Sequence, residues 1–195
     1  MTQSSLLSDL EKAAEFINSI DGIRCEQTDD SIFNEFCPGT LIRDNCLYYN
    51  PNLIECAGDL LHEAGHFAIT SAEWRPLIRD SRFDTLLEEN FPQISEHLDR
   101  GETLFDLVEN PVWRMIIDAD ENAVIAWSYA AAISSGIYPS TMHTEGFGDD
   151  WLSVSESLEG SCGNRFGLHP GINRLRHIGM LATGEYPSLI RWAQM

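Results

Sequence analysis

The sequence predicts an α+β fold, mostly helical, with a small antiparallel sheet packed beside one helix, organised as a single domain over residues 1–195. Short β-prone runs surround a turn signal before residue 50, and residues 53–70 repeat apolar side chains at helical spacing. No good strand candidate occurs between Trp74 and Gly136. The chain is 43% hydrophobic over 195 residues, so it can bury a sizeable core.

A helix, a short strand and a β-hairpin are predicted before residue 52. A helix over residues 4–20 is predicted because one face carries apolar side chains, namely Leu6, Leu10, Ala13, Ile17 and Ile20. Asp21-Gly22 ends this helix, and the run GIRCEQ predicts a short strand. The run TLIRDNCLYYN predicts a β-hairpin over residues 40–49, since Asp44 and Asn45 both tolerate the positive φ of a tight turn.

Helices are predicted for most of the remaining chain. Residues 53–70 form one helix, and Pro76, Pro92 and Pro111 lie where further helices can begin. From Pro111 to Gly136 the helical pattern contains no breaker. Short helices are expected near 150–159 and 171–183.

The charge and the termini exclude several classes of protein. A net charge of −19 opposes binding to a phosphate backbone, so no nucleic-acid partner is expected. No run of about 18 apolar residues predicts a membrane span. The start MTQSSLLSDLEKAAEFINSI lacks a basic region and an apolar core, and we therefore expect a cytoplasmic protein of bacterial type.

The five cysteines predict free thiols in a reducing compartment. Their number is odd, no CxxC pair occurs, and the chain is long enough not to need disulfides. The spacing of Cys25, Cys37 and Cys46 gives poor support to a cysteine-based zinc site.

The segment LLHEAGHFA at residues 60–68 predicts a metal site. Residues four apart lie on the same face of a helix, so His62 and His66 can bind one ion. Glu63 is turned about 100° away, where it can take a proton from water on the metal without being a ligand. Gly65 permits close packing of a second element. Asp59 lies on the histidine face and can orient a ligand histidine or remain a solvated helix acid.

A third protein ligand must come from another segment, because Ser71 and Ala72 stand where a local third histidine would be placed. The run IIDADENAVIAWSYAAA offers Asp118, Asp120 and Glu121 in an otherwise apolar helix. These carboxylates can be metal ligands, or they can be exposed or stabilise a helix N-terminus.

These motifs resemble those of the gluzincin metallopeptidases, in which HExxH on one helix is completed by a glutamate on a later helix. DENAVIAW is similar to the ligand helix of small bacterial members. LLHEAGHFA, DADENAVIAWSYAAA and LIRWAQM also resemble a group of uncharacterised bacterial proteins of similar size. The resemblance implies a zincin-like fold, Zn²⁺ as the cofactor, His62, His66 and Glu121 as metal ligands, and Glu63 as the catalytic base.

The leading hypothesis is a zinc-dependent peptidase that hydrolyses peptide or protein substrates. The substrate is expected to lie along the hairpin, whose outer strand borders the metal cleft. No downstream His or Tyr aligns with the oxyanion-stabilising residue of larger gluzincins, although the loop residue His143 is a candidate for that role. The alternatives are a non-catalytic metal-binding or regulatory protein and a metal hydrolase that does not cleave peptides.

Overall fold

A computed structural model describes residues 3–31, 37–72, 75, 100, 121–139, 151–162, 169–182 and 186–194. Within these residues the chain forms five helices and three strands, in the order α1 (Gln3–Asn18), β1 (Cys25–Gln27), β2 (Thr40–Arg43), β3 (Cys46–Tyr49), α2 (Ala57–Ile69), α3 (Glu121–Ser135), α4 (Trp151–Gly160) and α5 (Pro170–His177). The predicted α+β class, mostly helical, is therefore confirmed. The helices expected to begin at Pro76, Pro92 and Pro111 lie outside the described residues, apart from the part of the third that forms α3.

The predicted hairpin over residues 40–49 is present. β2 and β3 pair antiparallel, and the turn residues Asp44 and Asn45 have φ values of 51° and 63°. Two consecutive residues with positive φ form the two-residue turn that matches the twist of a hairpin. The sequence-based prediction of this element was therefore correct in position and in turn chemistry.

The three-stranded sheet is mixed, in the order β1-β3-β2, so the expectation of an antiparallel sheet holds for the hairpin and not for β1. β1 pairs in parallel with β3. After β1 the chain continues to β2 at the far edge of the sheet. The hairpin then reverses the chain, so β3 lies between β1 and β2 and runs parallel to β1. Local sequence patterns do not encode this crossover.

Helix α2 lies in the middle of the molecule. It contacts α1, α3 and the strands of the hairpin, and every one of its residues except His66 is buried. It begins later than predicted because Asn50 organises a turn before it. The carbonyl of Asn50 accepts from the N–H groups of Leu53 and Ile54, and its side-chain oxygen accepts from the N–H of Asn52. No described helix is long and apolar enough to cross a membrane.

Helix α3 is the second central element. It packs against α1, α2 and α5, and its buried face is rich in alanine around Trp127. The indole N–H of Trp127 donates to the carbonyl of Trp192, 3.1 Å away. Trp192, close to the C-terminus, therefore lies against the buried Trp127 of α3.

Candidate metal centre

Helix α2 brings the two predicted histidines together. The Nε2 atoms of His62 and His66 are 3.1 Å apart, and the rings meet edge to face. This follows from their spacing, because side chains four residues apart are one turn apart on the same helix face. Both imidazoles thus present the same ring nitrogen to a common point.

Glu121, the first residue of α3, completes the group. Its Oε1 is 3.2 Å from His62 Nε2, and its Oε2 is 3.6 Å from His66 Nε2. All three ligand atoms lie within 4.8 Å of one another, so the group can hold a metal ion. Among the described residues it is the only such group of three or more His, Cys, Asp or Glu side chains.

The spacing of these atoms fits a tetrahedral ion. Ligand atoms at 2.0–2.1 Å from a tetrahedrally coordinated ion lie about 3.3 Å apart. The two histidine nitrogens are 3.1 Å apart and His62 Nε2 is 3.2 Å from Glu121 Oε1, both close to that value, whereas the 3.6 Å separation from His66 Nε2 involves the other carboxylate oxygen, Oε2. Three protein ligands leave a fourth position for another molecule.

Gly65 allows α3 to approach α2 closely enough for this geometry. A Cβ at residue 65 would lie 2.9 Å from Val124 Cγ1 and 3.3 Å from Ser128 Oγ. The Ser128 hydroxyl hydrogen-bonds the carbonyl of Val124 within its own helix at 2.8 Å and contacts the carbonyl of Leu61 at 3.3 Å. The two helices that carry the histidines and the glutamate are therefore held in direct contact one turn from the site.

Arg75 stabilises the C-terminal end of α2, and the sequence analysis did not identify this residue. Its Nε donates to the carbonyls of Phe67 and Thr70, and its guanidinium also donates to the carbonyl of Gln194. The N–H of Gln194 donates to Ala68 O at 2.8 Å. A cation that satisfies the last carbonyls of a helix also interacts favourably with its dipole. The C-terminal segment and Arg75 together anchor the helix that carries the histidines.

Burial sets the protonation of His66. It lowers the pKa of His66 to about 4, because a charged imidazolium is poorly solvated there. The imidazole is consequently neutral at neutral pH, which is the form that binds metals.

Glu63 is adjacent to the metal group without belonging to it. Its carboxylate is not among the atoms that converge on the common point, and the residue is only 5% exposed. Burial and the nearby Glu63 carboxylate raise the pKa of the Cys37 thiol. The sequence offered Cys37 only as a weak candidate for a cysteine-based metal site, and the structure places it beside the predicted base.

Asp59 is buried at the start of α2, so it is not the solvated acid that was one of the two expectations. Burial raises its pKa to about 6, while hydrogen bonds from Cys56 oppose the rise. The carboxylate accepts from the backbone N–H groups of Cys56 and Glu55. Cys56 is the N-cap residue, so Asp59 occupies the position from which an acid closes a capping box.

Several sequence-based candidates remain predictions. Asp118, Asp120 and His143 lie outside the described residues. All five cysteines are free thiols.

Comparison of the chain with known protein families, curated proteins and solved structures finds no match.

Proposed function

We propose that this chain is a zinc-dependent metallopeptidase with a zincin-like active site. The convergence of His62, His66 and Glu121 on one point supports this proposal most directly. Two imidazoles and one carboxylate form a ligand set that suits catalytic zinc, because three protein ligands keep one position open. When bound, zinc supplies Lewis acidity towards water and towards a carbonyl oxygen.

Glu63 is the general base in this proposal. It follows His62 directly in the chain and does not share the point on which the ligand atoms converge. Its carboxylate accepts a proton from the attacking water and later delivers that proton to the leaving amine. The low exposure of Glu63 favours proton transfer over competing exchange with bulk solvent.

The site opens on the side of Glu121. The glutamate side chain is 55% exposed, whereas those of His62 and His66 are 5% and 13% exposed. A substrate therefore approaches from the first turn of α3 and not through α2, which is enclosed by the core.

The substrate class in this proposal is an extended peptide, aligned by the outer edge of β2. The hydrogen bond from Asn50 N to Gly39 O makes residues 39 and 50 a hydrogen-bonded pair of the antiparallel ladder, and such pairs alternate with pairs that are not hydrogen-bonded. By alternation, the N–H and C=O of Ile42 point away from β3. No described strand pairs with this edge, and β2 contacts α2. An added peptide strand can use these backbone groups.

The Glu63→Gln variant tests the proposal. Zinc-loaded protein is incubated with dye-quenched, unfolded casein, and zinc content is measured in parallel. We expect hydrolysis to fall about 10²–10⁴-fold, the usual contribution of general-base catalysis, with one zinc still bound per chain. Glu15→Gln, a matched change at an exposed position of α1, should leave hydrolysis unchanged.

Two results would reject this mechanism. Equal hydrolysis by Glu63→Gln and the wild-type protein excludes Glu63 as the base. Loss of zinc in Glu63→Gln shows that Glu63 contributes to the metal site itself. A wild-type protein that binds zinc and cleaves no casein favours the alternative of a metal-binding or regulatory protein.

A further inference from the structure

His169 lies at the start of α5, the helix that packs against α3. It is the N-cap residue of α5 and is only 7% exposed. Its Nδ1 accepts from the N–H of Gly171 at 3.2 Å, and its carbonyl accepts from the N–H of Ile172 at 3.2 Å. Pro170, between them in the chain, has no N–H to satisfy. The side chain of His169 therefore closes the first turn of α5.

This hydrogen bond determines the tautomer of His169. An imidazole nitrogen that accepts a hydrogen bond carries no proton, so the neutral ring holds its proton on Nε2. The usual N-cap acceptors are the side-chain oxygens of Ser, Thr, Asp and Asn. The Oδ1 of asparagine is attached to Cγ as the Nδ1 of histidine is, so His169→Asn can keep the acceptor while it removes the rest of the ring.

The first turn of α5 lies directly against the residue that follows Glu121. A Cβ at Gly171 would overlap with the carbonyl of Asn122 and would lie 3.0 Å from the nitrogen of Ala123. A contact between two backbones cannot be relieved by the rotation of a side chain, and close-packed interiors transmit such displacements. A shift of the first turn of α5 should therefore shift the first turn of α3, which carries Glu121.

The C-terminal end of α5 is held by other groups. The N–H of Met180 donates to the carbonyl of Leu175 at 2.9 Å, and the carbonyl of Met180 accepts from the N–H of Ile190 at 3.0 Å. These hydrogen bonds do not involve His169. Removal of its acceptor should consequently loosen the first turn of α5 and leave the last turn in place.

We propose that His169 is a positioning residue for the metal centre, whose Nδ1 holds the first turn of α5 against Asn122 and thereby keeps Glu121 at the two histidines. This inference rests on the proposed role of Glu121 as a zinc ligand. His169 is not itself a ligand, because no nitrogen of its ring belongs to the group of atoms that can hold the ion. It acts through the contact between the backbones of two helices.

Nitrogen-15 NMR of the metal-free protein tests the hydrogen bond without requiring zinc or activity. At neutral pH we expect the chemical shift of an unprotonated nitrogen for Nδ1 of His169 and that of a protonated nitrogen for Nε2. The loss of both signals in His169→Asn assigns them. The amide proton of Gly171 should exchange with solvent faster in His169→Ala than in the wild type or His169→Asn. A proton on Nδ1, or equal exchange in all three proteins, would overturn the proposal.

Zinc competition then tests the positioning role. We expect His169→Ala to weaken zinc binding about tenfold, at the lower end of the loss that follows removal of a group that orients a ligand. His169→Asn keeps an N-cap acceptor and should restore most of the affinity. Equal zinc affinity in His169→Ala and the wild type, or a loss that asparagine does not restore, would contradict the role.

Asn18→Ala is the control for a general loss of stability. The side-chain amide of Asn18 makes two hydrogen bonds of 2.9 Å to the backbone of Cys25, between α1 and β1. Its removal should lower the melting temperature and leave zinc affinity in the folded protein unchanged. A tenfold loss of affinity in this variant as well would show that zinc binding follows overall stability and would overturn the positioning role.

A double-mutant cycle identifies the ligand through which His169 acts. In a Glu121→Ala background, His169→Ala should have no further effect on zinc affinity, because the ligand that it positions is absent. In a His62→Ala background the tenfold effect should remain, since Glu121 still binds the ion. A loss that persists without Glu121 would overturn the proposal.

These measurements separate the failure of this inference from the failure of the proposed function. A wild-type protein that binds no zinc would reject the metal centre, the peptidase proposal and this inference together. If the wild-type protein binds zinc and cleaves no casein, the peptidase proposal alone fails, and the zinc affinities of the His169 variants still decide the positioning role.

Discussion

Gly171 lies directly against the backbone carbonyl of Asn122, so close that a Cβ at residue 171 would overlap with that carbonyl. Asn122 is the neighbour of Glu121 in the first turn of α3, and Gly171 lies in the first turn of α5. His169 caps α5 by accepting the N–H of Gly171 at its Nδ1. The position of the proposed glutamate ligand therefore depends on the absence of a side chain in another helix.

Gly171→Ala should both destabilise the protein and weaken metal binding. The new methyl group meets backbone atoms, which cannot move as a flexible side chain can, so we expect a loss of about 3 kcal/mol or more in the free energy of unfolding. Displacement of the first turn of α3 should lower zinc affinity in the same variant. Urea unfolding and a zinc-competition assay measure the two effects. Gly160→Ala, where nothing lies within 4 Å of the added methyl, is the control and should be neutral; equal behaviour of the two variants would contradict the packing argument.

Removal of one proposed metal ligand should abolish tight zinc binding. We expect His66→Ala and Glu121→Gln each to weaken zinc binding by more than the 10–100-fold that loss of an outer partner costs. Activity should disappear as a consequence. Metal content after dialysis and competition with a chromogenic chelator measure the effect, with the exposed His177→Ala as the control. Full zinc retention in either ligand variant would show that the ion is bound elsewhere.

Gly65→Ala should be unfavourable although alanine is the better helix former. The gain in helix propensity is about 1 kcal/mol, whereas overpacking against Val124, Trp127 and Ser128 costs about 1–3 kcal/mol. The variant should also bind zinc more weakly, because α3 must move away from α2. Thermal unfolding with and without zinc tests this, and a variant more stable than the wild type would show that the helices separate at little cost.

Arg75→Gln should destabilise the C-terminal end of α2. The guanidinium donates to three backbone carbonyls in a buried position, so its loss should reduce the free energy of unfolding by about 3 kcal/mol. The exposed Arg191 offers a matched substitution, and Arg191→Gln should change stability by less than about 0.5 kcal/mol. Chemical denaturation of the two variants decides between them, and a similarly small effect at both positions would contradict the anchoring role.

The contribution of Asp59 to the stability of the metal-free protein should decrease as the pH rises, opposite in sign to the contribution of His66, whose pKa is lowered. Its pKa is about 6 in the folded protein and 3.8 as the reference value, so the folded state retains the proton longer. This contribution is fully present below the unfolded pKa and is lost as pH rises through 6, and about 2 kcal/mol of it should be lost between pH 4.5 and pH 7. Asp59→Asn keeps an acceptor for Cys56 and should remove this pH-dependent contribution to stability. Unfolding in urea at pH 4.5 and pH 7 with a chelator present measures it, and an identical pH dependence in both proteins would reject the assignment.

Local patterns predicted much of the fold. The hairpin turn at Asp44-Asn45 and the buried face of α1 follow from residue type and spacing within a few positions of the chain. The start of α2 was missed because Asn50 forms a competing turn through its side chain. The parallel pairing of β1 was missed because it depends on a crossover that no local pattern specifies.

Local sequence patterns also predicted one part of the candidate site and missed another. The spacing of His62 and His66 predicts their meeting, since a helix imposes it. The approach of Glu121 was an implication of family resemblance, and it depends on Gly65 and Gly171, which act only through packing. The proximity of Cys37 to Glu63 relates the segment between β1 and β2 to α2, so the sequence contained no periodic signal for it.

The unequal exposure of the three proposed metal ligands has a consequence for the kinetics of metal exchange. Glu121 faces solvent, while His62 and His66 are largely enclosed. An ion would therefore meet the carboxylate first on entry, and a bound ion would remain accessible from the side of Glu121. A chelator can reach the ion while the histidines still hold it, so the rate of zinc removal should rise with chelator concentration instead of reaching a limit set by spontaneous release.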